Sequence, residues 1–347
     1  MIPHNRPTIE PADIEAVSRV LARGHIAQGA EVRAFEEELA ARFRPHGDAV
    51  AVASGTAALH LALRVLGIGP GGRVLVPTYT CTALVHAVML CGAEPILGDV
   101  RDTDFNLAPP SAAAEGLRAV ILPHMYGVPA DPEPFRRLQV PIVEDAAQAI
   151  GARLGGRPAG SLGDVSIFSF YATKPLTTGQ GGVVLGSRAA CDEVRDLRDY
   201  DGKRTLRPRF NYQLTDFQAA LGRSQLRRLE AFLERRHETA HRYDANRPRG
   251  VTTQQAPPDS APNHFRYVLR LRAVEAARQR FAAAGITTIV PTEPWELLHR
   301  QMGLDPEGFP VAEEIAATTL SLPMQPSLTE EEKARVADVL ATLGDLE

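Results

Sequence analysis

Residues 164–186, DVSIFSFYATKPLTTGQGGVVLG, contain two short apolar runs joined by a segment rich in turn-forming residues. Runs such as DVSIFSF (164–170) and GGVVLG (181–186) are typical of strands that helices cover on both faces, as in an α/β sheet. Between them stands Lys174, one of three lysines in a chain whose other long basic side chains are arginines. The stretch therefore predicts a buried sheet and an unusual lysine just past the end of one strand.

Strand-like and helical stretches alternate through the first two thirds of the chain, which favours an α/β fold with a mostly parallel central sheet. The opening segment predicts a helix with Ile14, Val17, Val20 and Leu21 at helical spacing and Gly24 at its end. A second helix is predicted at VRAFEEELAARF (32–43). The other strand candidates are AVAVAS (49–54), RVLVP (73–77), EPILGDV (94–100), RAVILP (118–123) and PIVED (141–145).

The pattern changes near Phe217, where a long helix is predicted over residues 217–243. A proline-rich loop follows, and then a strand (263–271) and two helices (274–285 and 329–343). This order predicts a smaller α+β domain after the sheet. We expect a large α/β domain with an N-terminal helical segment at residues 1–225 and a small domain at residues 226–347.

Composition excludes several classes of protein. The 347 residues are 44% apolar and 23% charged, and the net charge of −4 gives no general attraction to nucleic acid or an anionic membrane. No apolar run reaches the ~18 residues of a membrane helix, and the first residues lack the apolar region of a signal peptide. Three cysteines and ten scattered histidines show no metal-ligand spacing, so we expect no metal and a cytoplasmic location.

The stretch AVASGTAALHLALRVLG (51–67) predicts a strand, a glycine turn and a helix. Free N–H groups and the positive end of the helix dipole make such a helix start a possible anion site, which Gly55 would let a ligand approach. The alternative is an ordinary helix cap formed by Ser54 or Thr56.

PIVEDAAQAIGA (141–152) ends an apolar strand with Glu144 and Asp145. Ligands of open α/β sheets bind at the carboxyl ends of the strands, where Asp145 could pair with a cationic group such as a protonated ring nitrogen. Alternatively, Asp145 caps the turn that follows it.

Lys174 follows the aromatic run that ends at Tyr171, and Pro175 disfavours helical conformation at the lysine. Desolvation lowers a lysine pKa from about 10.4, and the neutral amine can form a Schiff base with a carbonyl. The alternative is a surface lysine that extends from a strand end into solvent. A phosphate site, a carboxylate and a reactive lysine, each at a strand end, are together what pyridoxal phosphate (PLP) needs.

The chain also resembles the DegT/StrS-type PLP-dependent sugar aminotransferases, which have the type I aspartate aminotransferase fold. The resemblance extends from about Ile2 to the C-terminal helix. Its markers are SGTAAL (54–59), VPTYTCTA (76–83), LPHMYGVPAD (122–131), VEDAAQA (143–149), FSFYATKPLTTGQGG (168–182), FNYQLTDFQAALG (210–222) and LSLPMQPSLT (320–329).

This resemblance implies that Lys174 is the catalytic residue, which bonds to the cofactor and then moves the proton. It implies that Asp145 pairs with the pyridine nitrogen and that Gln148 contacts the 3-oxygen side of the ring. Gly55, Thr56 and Ser169 would hold the phosphate.

Asn211 would contact the PLP phosphate of a neighbouring subunit, so the family resemblance also implies a homodimer with shared active sites. The basic loop KRTLRPRF (203–210) directly precedes Asn211. Its charged residues are candidates for binding a substrate diphosphate. The equally weighted alternative is a solvated loop without a ligand. These candidates are Lys203, Arg204, Arg207 and Arg209.

Four features differ from the family pattern. Cys81 stands where an aromatic residue usually stacks on the cofactor, Gln180 replaces a glutamate, and Tyr171 replaces a common histidine. The segment TEPWELLHRQMGL (292–304) lacks the usual His-Tyr-Pro pattern. Because the dehydratase branch has histidine in place of the lysine, Lys174 favours transamination.

We therefore predict a PLP-dependent aminotransferase that moves an amino group from glutamate or glutamine to a keto sugar, with a nucleotide-linked sugar as the expected substrate. One alternative is a PLP aminotransferase that acts on a cyclitol or another ketone. Another is a catalytically idle PLP-binding or regulatory homologue, to which Cys81 and Gln180 would point.

Overall fold

The computed structural model describes residues 1–112 and 114–345, and the last two residues of the predicted small domain lie outside this range. The helices are α1 Pro11–Arg23, α2 Ala30–Phe43, α3 Gly55–Val65, α4 Ala83–Leu90, α5 Glu133–Arg136, α6 Arg188–Leu197, α7 Asp216–Leu226, α8 Leu229–Asn246, α9 Val274–Ala283, α10 Leu298–Gln301, α11 Pro310–Thr318 and α12 Glu330–Ala341. The strands are β1 Asp48–Val52, β2 Arg73–Pro77, β3 Glu94–Gly98, β4 Leu117–Pro123, β5 Ile142–Asp145, β6 Arg153–Leu154, β7 Arg157–Pro158, β8 Val165–Ser169, β9 Gly182–Gly186, β10 Thr252–Thr253, β11 Ser260–Ala261, β12 Tyr267–Arg270 and β13 Thr319–Leu322.

The central sheet has seven strands in the order β1-β9-β8-β5-β4-β2-β3. The pairs from β8 through β5, β4 and β2 to β3 are parallel, whereas β9 runs antiparallel to both β8 and β1. Ile167 of β8 faces Val184 of β9, and every residue of β9 is buried. The two apolar runs of residues 164–186 are therefore neighbouring strands, and all the strands predicted for the sheet are present.

Helix α1 forms as predicted, but not all of its apolar residues are buried. Asp13, Ala16 and Val20 are buried, whereas Ile14 and Leu21 are 62% and 54% exposed. Ala16 and Val20 pack against Ala220 of α7, and on the same side of α1 the buried carboxylate of Asp13 pairs with the guanidinium of Arg228.

The long helix predicted over residues 217–243 is instead two helices, α7 and α8, separated at Arg227 and Arg228. The backbone of Arg228 leaves helical geometry with φ −106° and ψ 6°. Its side chain pairs with both Glu10 and Asp13, so contacts with α1 compensate for the interruption. Helical periodicity could not reveal this break because apolar residues continue in phase across it.

A second core lies around the three-stranded sheet β10-β12-β13 and helices α9 and α12. Leu229 and Leu233 of α8 pack into a core of the large sheet, whereas Ala240 and Tyr243 of the same helix pack into this second core. Ile2 also belongs to the second core. The domain division at residues 225 and 226 remains a prediction. None of the described helices is long and apolar enough to cross a membrane.

Candidate active site

Lys174 lies in a tight loop between β8 and β9. Backbone hydrogen bonds from Phe170 N to Gly181 O and from Thr178 N to Phe170 O close the base of this loop, at 2.8 and 3.0 Å. Lys174 N donates to Tyr171 O at 2.9 Å, and buried Leu176 anchors the loop in the core. The lysine is thus held in a defined turn.

The Lys174 side chain lines a cavity of about 250 Å³. Its Nζ atom lies 5.2 Å from the ring centroid of Phe265. Burial lowers the pKa of Lys174 below its ordinary value, and the nearby Arg266 guanidinium lowers it further, although Cys81 and Asp145 act in the opposite direction. The structure therefore favours a more nucleophilic amine than that of a solvated lysine.

Asp145 ends β5 and is 6% exposed, and its carboxylate lies near enough to Lys174 and Cys81 to raise the pKa of both side chains. Burial raises the pKa of its carboxyl group above the ordinary value, while the N–H of Ala147 and the charge of Lys174 act in the opposite direction. Its Oδ1 atom accepts the Ala147 N–H at 3.0 Å, so the alternative of a turn cap is also correct. A desolvated carboxylate in this position suits a cationic partner.

Gly55, Thr56 and Ser169 meet where β8 ends and α3 begins. Ser54 is the N-cap of α3, and its Oγ atom accepts the Ala57 N–H at 3.1 Å. The helix provides no acceptor for the N–H groups of Gly55 and Thr56, since these lie in its first turn. A Cβ atom on Gly55 would lie 2.9 Å from Ser169 Oγ. The three predicted phosphate residues are therefore adjacent, and their free donors suit an anion.

Gln148 lines the same cavity as Lys174. Its Oε1 atom accepts the backbone N–H of Tyr126 at 2.8 Å. Asn263 Nδ2 donates to Gln148 O at 2.9 Å, which further fixes this residue. With its oxygen engaged, the Gln148 amide nitrogen is left as a hydrogen-bond donor for a ligand in the cavity.

The residues that differ from the family pattern lie in different surroundings. Cys81 lines the cavity, and its side chain is exposed there. Desolvation by the surrounding protein raises the pKa of the thiol above its ordinary value, and the charge of Asp145 raises it further, whereas Lys174 lowers it. Gln180 is exposed and contacts Thr178 and Gln218 through its backbone oxygen.

Neither Tyr79 nor Tyr171, the tyrosines closest in sequence to Cys81 and Lys174, lines the cavity. Tyr171 is 47% exposed, whereas Tyr79 is fully buried. The hydroxyl of Tyr79 accepts a hydrogen bond from the hydroxyl of Tyr126 at 2.9 Å. The aromatic residues that do line the cavity are Tyr126 and Phe265.

Asn211 and the basic loop do not line this cavity within the described chain. Asn211 is exposed, and the residue after it accepts a backbone hydrogen bond from Ala53, close to the phosphate turn. Arg207 and Arg209 pair with Asp196, as does Lys203 at 3.4 Å. Arg204 is exposed.

Several residues of the cavity were missed in the sequence because they come from distant segments and no motif marks them. Phe265 and Arg266 immediately precede β12, and Thr292, Glu296 and Gln301 come from the segment that lacks the family pattern. A weak signal was the presence of two arginines, Arg266 and Arg270, in the otherwise apolar run NHFRYVLRL (263–271).

Comparison with known proteins agrees with this arrangement. Residues 7–341 match the DegT/DnrJ/EryC1/StrS aminotransferase family. The chain belongs to this family. The predicted family, the type I α/β fold and the aminotransferase class are thereby confirmed.

Two relatives are sugar aminotransferases by name. A UDP-N-acetyl-3-dehydro-alpha-D-glucosamine 3-aminotransferase of Acidithiobacillus ferrooxidans is 34% identical, over 94% of this chain and 92% of the relative. A dTDP-3-amino-3,4,6-trideoxy-alpha-D-glucose transaminase of Streptomyces venezuelae is 37% identical, over 94% and 90%. The solved PLP form of Spr1654 from Streptococcus pneumoniae has a TM-score of 0.91 at 26% identity, covering 99% of this chain and 98% of that one.

Proposed function

We propose that this protein is a PLP-dependent aminotransferase that moves an amino group from glutamate or glutamine to the ketone of a nucleotide-linked sugar. The observation that carries the proposal is the shared site of Lys174 and Asp145, in which burial lowers the lysine pKa and raises that of the carboxyl group. The relatives named for UDP- and dTDP-linked sugars support the substrate class.

Lys174 and Gln148 of the cavity, together with Asp145 and the helix start at Gly55, fit PLP. The N–H groups of Gly55 and Thr56 and the Ser169 hydroxyl would donate hydrogen bonds to its phosphate. Glycine at position 55 leaves open the space beside Ser169 that a side chain would fill. Asp145 would accept from the protonated pyridine nitrogen, and the Gln148 amide would donate to the 3-oxygen. When bound, PLP supplies an electron sink for the carbon that gains or loses the amino group.

Lys174 would perform the proton transfer. Its lowered pKa leaves a larger fraction of neutral amine than a solvated lysine has, and this amine can take a proton from one carbon and return it to another. The hydrogen-bonded turn between Phe170 and Thr178 fixes the backbone that carries Lys174, which reduces the entropy cost of positioning its amine.

We further propose a homodimer in which Asn211 reaches the phosphate site of the partner. Exposure of Asn211, beside a segment that contacts Ala53, supports this, as do the exposed apolar side chains Ile14 and Leu21 of α1. The three cysteines are free, which suits the cytoplasm.

The test is spectroscopic. The purified protein loaded with PLP should change its absorption spectrum when glutamate or glutamine is added and release the corresponding 2-oxo acid. Adding UDP- or dTDP-linked keto sugars should then restore the first spectrum, and a keto cyclitol tests the alternative acceptor. A Lys174→Ala protein is the control and should show neither change. A stable spectrum with all amino acids would contradict the proposal and favour an idle PLP-binding protein.

A further inference from the structure

Arg266 is a cation of the cavity that has no carboxylate partner among residues 1–112 and 114–345. Its side chain is partly buried and lines the cavity next to Lys174. The guanidinium lies over the rings of Tyr126 and Phe265, 5.9 and 5.4 Å from their centroids. Arg270, four residues later, is by contrast paired with Asp102 and Glu314. Keeping a desolvated charge unpaired is costly, so such a group is a candidate for ligand binding.

The surroundings of Arg266 hold the guanidinium in place without neutralising it. Its Nη1 atom donates to His4 Nε2 at 3.4 Å, and His4 is neutral because burial and the charge of Arg266 lower its pKa to about 3. Arg236 Nη1 donates to the carbonyl oxygens of His264 and Phe265, each at 3.1 Å. The backbone before Arg266 is therefore fixed, and the guanidinium is preorganised for an anion.

Phe265 also relates Arg266 to the reacting lysine. Lys174 Nζ and Arg266 Cζ lie 5.2 and 5.4 Å from the centroid of this one ring. An amino acid donor has its carboxylate on the same carbon as the amino group that it transfers, and that group would take the place of the Lys174 amine. In a nucleotide sugar, the diphosphate is separated from the ketone by several ring bonds. Because both cations border the same cavity and contact the same ring, an anion bound by Arg266 would lie on the side of the reacting amine, which favours the carboxylate of the donor.

We propose that Arg266 binds the α-carboxylate of the amino donor and of the 2-oxo acid formed from it. The planar guanidinium can form two parallel hydrogen bonds with a carboxylate, which a lysine cannot. This inference rests on the proposed function, since it assigns the donor site of the same cavity. Glu296 lines the cavity as well and attracts Arg266 without forming an ion pair with it, so the donor carboxylate would not have to displace a bound side chain.

Three forms of the donor test the assignment. L-glutamate has two ionised carboxylates. Its α-amide lacks the charge of the α-carboxylate, and its γ-amide (L-glutamine) lacks the charge of the γ-carboxylate. We expect the PLP-loaded protein to react roughly tenfold to a hundredfold less efficiently with the α-amide than with glutamate, as expected for losing a buried charge-assisted pair. Arg266→Gln should lose this discrimination, Arg266→Lys should retain part of it, and the matched control Arg270→Gln should retain all of it. The proposal would be overturned if folded Arg266→Gln still discriminated fully between glutamate and its α-amide. It would also be overturned if the substitution lowered the reaction efficiency with the γ-amide alone.

A second measurement separates this inference from the proposed function. Calorimetric titration with 2-oxoglutarate reports carboxylate binding without turnover. We expect Arg266→Gln to bind it roughly tenfold more weakly than the unmodified protein and Arg270→Gln to bind it equally well. Absent reaction with all donors, together with this binding difference, would contradict the aminotransferase proposal alone. Normal reaction, together with equal binding by Arg266→Gln, would contradict the Arg266 proposal alone.

Discussion

A Cβ atom on Gly55 would lie 2.8 Å from the Cβ atom of Ser169. Real Cβ atoms essentially never approach this closely, and the Ser169 side chain is held at the end of β8. Glycine at position 55 therefore allows the first turn of α3 and the serine hydroxyl to border the same space. Substitutions at the two positions can separate the steric requirement from the proposed contact with phosphate.

We expect Gly55→Ala to lower the free energy of unfolding by about 1–3 kcal/mol, a typical cost of overpacking, and to weaken PLP retention. The double variant Gly55→Ala/Ser169→Gly removes the clash, so stability should recover. PLP affinity should stay low because the hydroxyl donor is gone. Thermal unfolding and equilibrium dialysis measure the two quantities, and full recovery of PLP affinity would show that Ser169 makes no phosphate contact.

For Lys174, borohydride treatment of the PLP-loaded protein should fix the cofactor to the peptide that contains this residue. Burial lowers the pKa of Lys174, whereas Lys333 is engaged with Glu330 at 2.7 Å and Lys203 with Asp196. Peptide mass spectrometry checks the site, with the peptides of Lys203 and Lys333 as internal controls. Label on either of those peptides instead would show that the assignment is wrong. Lys174→Ala should lose turnover while retaining some PLP through the phosphate site.

The central sheet could be predicted from the sequence because its strands are short apolar runs that need no tertiary information to recognise. Asp145 and Lys174 could be proposed from the sequence for a similar reason, since Asp145 ends one such run and Lys174 comes a few residues after another, whereas the role proposed for Ser169 comes from the family resemblance. Arg266 could not be predicted in the cavity because its position depends on how β12 packs beside Tyr126. The break at Arg228 was likewise hidden, because the partner of this residue, Asp13, is distant in the sequence.

Glu144, next to Asp145, is a buried carboxylate with five hydrogen-bond donors. The donors are His124 Nε2, the backbone N–H groups of Gly160, Leu162 and Gly163, and Ser166 Oγ. Although burial alone would raise the pKa of Glu144, the hydrogen bond and charge of His124 and the other donors lower it to about 2. The network fixes the strand end that carries Asp145.

We expect Glu144→Gln to lower the free energy of unfolding by about 2–4 kcal/mol at neutral pH, since an amide nitrogen would face backbone donors. Because the folded pKa lies below the ordinary 4.5, the contribution of the ionised carboxylate is complete above pH 4.5 and is lost as the pH falls toward 2. Denaturant unfolding at several pH values should therefore show the stability difference between the two proteins shrinking in acid. A difference that is independent of pH would contradict this assignment.

The proposed shared site predicts complementation between inactive subunits. Lys174→Ala removes the reacting amine, and Asn211→Ala removes the proposed contact with the partner's phosphate. In a mixed dimer, one of the two sites would have both residues intact, so mixing should restore part of the activity. Native mass spectrometry verifies subunit exchange, and mixing either variant with itself is the control. Exchange without recovery would count against Asn211 acting across the interface.

The last prediction concerns the basic loop that precedes Asn211. Arg207 donates to Glu193 and Asp196, and hydrogen bonds from Arg209 and Arg207 hold the pKa of Asp196 below its ordinary value. Arg204 is exposed and has no ion pair within the described parts of the chain. A diphosphate would therefore find Arg204 free, whereas Arg207 would first have to be drawn away from two carboxylates.

We expect Arg204→Ala and Arg207→Ala each to raise the KM for the nucleotide sugar by roughly threefold to tenfold, as for a partly solvated charge pair. Only Arg207→Ala should also lower the melting temperature, because Arg207 but not Arg204 forms ion pairs with residues that the structure describes. The glutamate half-reaction, measured separately, should change little in either variant, since glutamate has no diphosphate. Loss of both half-reactions together would indicate that the loop serves the cofactor or the fold. An unchanged KM in both variants would favour an acceptor without a nucleotide, such as a cyclitol.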